Sequence, residues 1–223
     1  MTLAIGAIAK DGMVVAADTK IQRIRNGGRF TTENGKLFMS EGCSFVTAVA
    51  GNSIGYKVAH AIHDGWKDEW PAKAMGLADD SLNDTLGTED NEDKRNSVAF
   101  ELIIVKPKIR KMYVLESNRR INCEEYMGGK LFAGDQCNLS LFWMQRFYNK
   151  NLMIKDLKPL VAMTIIEAGI LNHTSIEGIT MMQFRDGKEQ EPVSEAEIEN
   201  YKQLSIAMDL SIKGKLFGEN MKQ

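Results

Sequence analysis

Thr2 directly follows the initiator methionine and opens a β-rich run, Thr2 to Ala9. Once Met1 is removed, as expected before a small residue, this one residue carries both a hydroxyl nucleophile and a free α-amine. Such an amine has an unperturbed pKa of about 7.7–8.0, so near neutral pH a usable fraction can take the hydroxyl proton, directly or through a water. No histidine is then needed. Two further residues support this chemistry in combination. Lys36 would set an ammonium beside the hydroxyl and favour its alkoxide, and Asp18 would fix that ammonium and keep it charged in a low-dielectric site. Alone, each has a plainer explanation: Asp18 ends a strand, and Lys36 follows the Asn34-Gly35 turn, where lysines are usually solvated.

The elements that must position these residues follow from periodicity and turn chemistry. Thr2 to Ala9 and Met13 to Asp18 are joined by Lys10-Asp11-Gly12, a tight-hairpin signal. Asn26-Gly27-Gly28 and Asn34-Gly35 are further turns, and Lys36 to Ser40 with Ser44 to Ala50 predict a second hairpin around Glu41-Gly42. The first fifty residues are therefore expected to be mostly antiparallel sheet. Helical spacing over Ser53 to Trp70 is broken at Pro71 and resumes through Leu86, and the acidic Thr88 to Asn96 stretch predicts a flexible loop. A second sheet is expected from Ser97 to Val105, Ile109 to Leu115, Arg120 to Glu124 and Lys130 to Ala133. Helices over Leu139 to Tyr148 and Leu157 to Leu171, a strand over Ile179 to Phe184 and a long amphipathic helix over Val193 to Phe217 complete the chain. Pairs of helices between runs of strands favour an α+β fold, two mainly antiparallel sheets covered by helices, over a doubly wound parallel sheet.

Four stretches carry a resemblance. Thr2-Leu-Ala-Ile-Gly-Ala-Ile-Ala, Gly12-Met-Val-Val-Ala-Ala-Asp18, Gly35-Lys36-Leu-Phe and Ala48-Val-Ala-Gly51 together resemble the start of proteasome β subunits and their bacterial HslV-type relatives, which are N-terminal threonine hydrolases. The resemblance implies that Thr2 is the nucleophile, that Asp18 and Lys36 are its charged partners, and that Gly51 offers its N–H to the oxyanion. It also implies a four-layer α-β-β-α sandwich, the Ntn-hydrolase fold, as a single domain over residues 1–223. The second half departs from the pattern. Asp135, in Ala133-Gly134-Asp135-Gln136, stands where a supporting serine is expected, and Asn172-His173-Thr174-Ser175-Ile176 keeps the serine at Ser175 while an aspartate has become Asn172 and Ile176 stands where a glycine is expected. Asp135 could hold the terminal amine or simply cap a helix. By the same resemblance the substrate pocket draws on Lys20, Ile21, Gln22, Val49, Ser53 and Lys57, and the apolar Val49 and Ile21 favour cleavage after apolar residues.

Composition narrows the partners. The 223 residues are 43% hydrophobic and 26% charged, enough for a large core, and 28 basic against 30 acidic residues leave a formal charge of −2. That balance argues against nucleic acid and anionic membrane surfaces, and the longest apolar runs are far short of the ~20 residues a membrane span needs. Three cysteines without CxxC spacing argue against a disulfide framework, so a cytoplasmic setting is expected. Gly51-Asn-Ser-Ile-Gly55 lacks the Gly-Lys-Ser/Thr ending of a P-loop, and His60 with His63 lacks further metal ligands, so neither cofactor nor metal is expected. The partners are then a peptide or unfolded protein substrate and further copies of the chain in stacked homo-oligomeric rings. A separate ATPase unfoldase is implied by the resemblance alone. A non-catalytic assembly or binding subunit that retains Met1 stays open beside the threonine endopeptidase.

Overall fold

A computed structural model of the chain describes residues 2–25, 28–33, 35–39, 46–65, 72–86, 99–118 and 120–217. The first hairpin pairs β1 (Leu3–Ala9) with β2 (Gly12–Ala17) around Lys10 and Asp11, in register from Ala9 opposite Gly12 to Ala4 opposite Ala17. Both strands are buried on both faces, which is why they read as continuous apolar runs rather than as alternation. β3 (Lys20–Arg25) and β4 (Gly28–Glu33) form a separate two-stranded hairpin. β5 (Leu37–Met39) and β6 (Val46–Gly51) pair next, and their turn lies outside the described residues, as does the Thr88 to Asn96 stretch.

The chain then crosses between layers. After α1 (Ile54–Gly65) and α2 (Ala72–Leu86), β7 (Phe100–Lys106), β8 (Lys111–Asn118) and β9 (Arg120–Tyr126) extend one sheet in the order β5-β6-β7-β8-β9. β10 (Lys130–Gly134) leaves that sheet and pairs with the outer side of β1. Past α3 (Leu141–Phe147) and α4 (Ile154–Leu171), β11 (Thr180–Arg185) pairs with β2, and β12 (Glu191–Pro192) closes the order β10-β1-β2-β11-β12. α5 (Glu195–Phe217) ends the described chain. Every strand pairing described is antiparallel.

Three apolar clusters stack these elements as helices, sheet, sheet, helices. Val58, Ile62, Ala78 and Leu82 of α1 and α2 pack on Leu102, Ile104 and Leu115 of the second sheet. Val15, Ala48, Ile103, Val105, Met112 and Met182 fill the space between the sheets. Leu157, Val161, Ile165 and Ile198 of α4 and α5 cover Ile5, Val14 and Ala16.

Three expectations change. The sheets are not divided along the sequence: β5 and β6 join the later strands, while β10 and β11 flank the first hairpin. Hairpin turns fix which neighbours pair, but sheet membership depends on long-range closure that no turn records. β12 is two residues long and ends in a proline, too short for a pattern. α5 starts at Glu195, where Ser194 Oγ accepts the Glu197 N–H at 3.2 Å. It is not amphipathic with a single apolar stripe, because Leu204, Ile206, Leu210 and Ile212 remain exposed while Ile198 enters the core.

Candidate active site

The first hairpin returns the end of β2 to the start of β1, so Asp18 arrives beside Thr2. Leu3 N–H donates to Asp18 Oδ1 at 2.9 Å, and Asp18 N–H donates back to the Leu3 carbonyl at 3.1 Å. Lys36 comes from the other sheet. It precedes β5, and its carbonyl accepts the Val49 N–H of β6 at 3.0 Å, which fixes its backbone only a few residues from Gly51. Its side chain crosses to the first sheet, where Lys36 Nζ donates to Thr2 Oγ1 at 2.8 Å and to Asp18 Oδ2 at 2.7 Å. Thr2, Asp18 and Lys36 are 7%, 0% and 1% exposed.

Burying a charged pair costs several kcal/mol per ion unless geometry and hydrogen bonds compensate. Here they offset part of it: both Asp18 oxygens accept bonds, Oδ1 from Leu3 N–H and Oδ2 from Lys36 and from the Lys20 N–H at 3.2 Å. Burial lowers the Lys36 pKa, and the Asp18 carboxylate opposes that shift. Burial raises the Asp18 pKa, opposed chiefly by Lys36 and also by the two backbone N–H groups. The product is a desolvated Lys36 Nζ set against the Thr2 hydroxyl oxygen.

The Thr2 main chain is clamped from the far side. Asp135 N–H donates to the Thr2 carbonyl at 2.8 Å, and a side chain at Gly134 would place its Cβ 2.0 Å from that oxygen. Gly134 also has φ +92°, a region that favours glycine. Gly51 has the same φ, and a Cβ there would meet the Ala99 carbonyl at 2.7 Å, so both positions are held to glycine. The Asp135 carboxylate turns toward the loop after α4: its Oδ2 accepts from Asn138 Nδ2 at 3.0 Å and lies 3.5 Å from Asn172 Nδ2. Asp135 and Asn172, two of the positions that depart from the proteasome-type pattern, therefore face one another. Ser175 is buried in that loop, with its N–H on the Asn172 carbonyl at 3.0 Å.

A cavity of about 410 Å³ opens on Thr2, lined by Ala50, Gly51, Phe100, Glu101, Glu116 and Gly134 among others. Sequence reasoning missed Glu101, Glu116 and the Gly134 clamp, and of the expected substrate-binding residues Lys20, Val49, Ser53 and Lys57 are not among those lining this cavity. Val49 is buried in the helix-side cluster, Ser53 sits at the entry to α1 and Lys57 is exposed on that helix. Lys20 pairs with Glu177 at 2.7 Å and donates to the His173 carbonyl at 2.8 Å. Ile21 and Gln22 lie in β3, and their side chains are outside the described residues. No described helix is long and apolar enough to cross a membrane.

No protein-family model and no curated protein sequence matches the chain. Solved structures do. Anbu from Hyphomicrobium sp. strain MC1 superposes with a TM-score of 0.70 at 15% identity over 99% of each chain. Anbu (ancestral beta-subunit) from Yersinia bercovieri gives 0.69 at 13% identity, over 98% of this chain and 100% of that one. A helical assembly of the Anbu complex from Pseudomonas aeruginosa gives 0.68 at 14% identity over 95% of each. Over essentially its whole length, this chain has the fold of the Anbu structures.

Proposed function

We propose that the protein is a proteasome-like Ntn hydrolase, a threonine endopeptidase whose nucleophile is Thr2 after removal of Met1. The observation that carries this reading is the buried hydrogen-bonded set in which Lys36 holds Thr2 Oγ1 and Asp18 holds Lys36. Thr2 Oγ1 attacks the peptide carbonyl carbon while its proton passes to the Thr2 α-amine. The resulting oxyanion is met by the Gly51 N–H, and collapse expels the amine half of the substrate with that proton. Water, deprotonated by the same amine, then hydrolyses the ester and restores the hydroxyl.

Self-association fits this role, because a peptidase needs its catalytic termini enclosed. One Anbu structure is a helical assembly, and we extend to this chain the general form: a homo-oligomer built by heterologous contacts, in stacked rings or in a helix. Hydrolysis by Met1-free protein is the test. Thr2→Ala should abolish it with the fold intact and Thr2→Ser should keep part of it, whereas full activity in purified Thr2→Ala would refute the reading.

A further inference from the structure

Along β7 and β8 the inward face of the second sheet is apolar until the end that reaches the Thr2 cavity, and there it becomes acidic. Ile103 and Val105 of β7, with Met112 and Val114 of β8, point into the space between the sheets. Side chains two apart on a strand share a face, so Glu101 and Glu116 continue these two rows at the open end. They are also direct partners across the β7–β8 pairing, which places two like charges side by side, an arrangement that destabilises a sheet. Both line the cavity that contains Thr2 and Gly51. Glu101 Oε2 accepts the Gly134 N–H at 2.7 Å and lies 3.2 Å from Gln136 Nε2, and neither carboxylate is paired with a described lysine or arginine side chain.

We propose that Glu101 and Glu116 determine specificity, selecting peptides with a lysine or arginine next to the bond that Thr2 attacks. This rests on the reading of Thr2 as nucleophile and names the substrate class of that site. A basic side chain entering the cavity relieves the repulsion between the two carboxylates and gains charge-assisted hydrogen bonds from both. A metal ion fits less well: two carboxylates are a sparse ligand set, and among the described residues no group of three His, Cys, Asp or Glu is placed to hold one. This choice differs from the apolar preference drawn from Val49 and Ile21, of which Val49 packs in the helix-side cluster and does not line this cavity.

The test uses the full-length, Met1-free protein and quenched-fluorescence peptides that differ only in the residues flanking the cut bond. Lysine or arginine should exceed leucine by about tenfold in kcat/KM at one flank. Glu116→Gln should shrink that ratio toward unity, and Glu116→Lys should favour a glutamate peptide over a lysine one. Glu116 is the cleaner position, because Glu101 also supports Gly134. No basic preference at either flank, or a ratio unchanged in both Glu116 variants, overturns the proposal. If no peptide is cut, the nucleophile has failed, and binding still decides the specificity. Fluorescence polarisation on Thr2→Ala protein should show lysine peptides binding about tenfold tighter than leucine peptides, with the difference lost on adding Glu116→Gln. Equal binding, or saturation by magnesium or calcium alone with no peptide preference, overturns it.

Discussion

On one side of Thr2, Lys36 and Asp18 are opposite charges 2.7 Å apart, almost wholly buried, with both Asp18 oxygens accepting hydrogen bonds. On its cavity side, Glu101 and Glu116 are like charges on adjacent strands, half-buried and open to an entering group. The first arrangement is complete within the chain and places the Lys36 Nζ 2.8 Å from Thr2 Oγ1. In the second, Glu101 accepts the Gly134 N–H, and neither carboxylate has a described lysine or arginine partner. On the proposed reading, the groups assigned to chemistry are held by the first hairpin and its facing sheet, while those assigned to substrate choice sit at the end of a sheet where space remains.

Substitution should separate the two sides sharply. Lys36→Ala leaves the Asp18 carboxylate buried without its cation, so it should cost about 3–5 kcal/mol of stability and abolish hydrolysis. The double change Lys36→Met with Asp18→Asn removes both charges and should recover much of that stability, seen in urea unfolding, while activity stays lost. Lys36→Arg should also fail in turnover, since a planar fork does not reproduce a point charge. Glu116→Gln, by contrast, removes one of two repelling charges and should change stability by no more than about 0.5 kcal/mol, with any shift favourable. Near-normal turnover in both Lys36→Ala and Lys36→Arg, or a large stability loss in Glu116→Gln, would break the comparison.

The first side was legible in the sequence and the second was not. Thr2, Asp18 and Lys36 each sit at a strand end defined by a local turn, so their convergence follows from hairpin pairing plus the family resemblance. Glu101 and Glu116 sit in strands that the pattern located, yet nothing local says that β10 leaves those strands to place Gly134 and Thr2 at their open end. The available signal was a carboxylate at an inward position, Glu101 before Ile103 and Val105 and Glu116 after Val114, in strands otherwise apolar on that face. The paired departures Asp135 and Asn172 were visible as departures, but their contact depends on how the loop after α4 folds back over the start of α3.

A smaller effect concerns a half-buried base that does not line this cavity. His63 on α1 lies 3.1 Å from Thr47 Oγ1, and burial, reinforced by His60, lowers its pKa from 6.5 to about 4. Between those values the unfolded chain binds a proton that the folded chain does not, so stability should be full above pH 6.5 and decline as pH falls toward 4. Urea midpoints at pH 7 and pH 5 should differ in the wild type and differ less in His63→Gln. An identical pH dependence in the two proteins would mean that His63 titrates normally.

The central claim is that Thr2 Oγ1 becomes covalently acylated. Met1-free protein mixed briefly with a lysine-containing peptide ester and quenched in acid should show, by intact mass and fragment mapping, one acyl group on Thr2, and Thr2→Ala should show none. Ester consumed at the wild-type rate by Thr2→Ala, or an acyl group mapped to any other residue, would contradict the account.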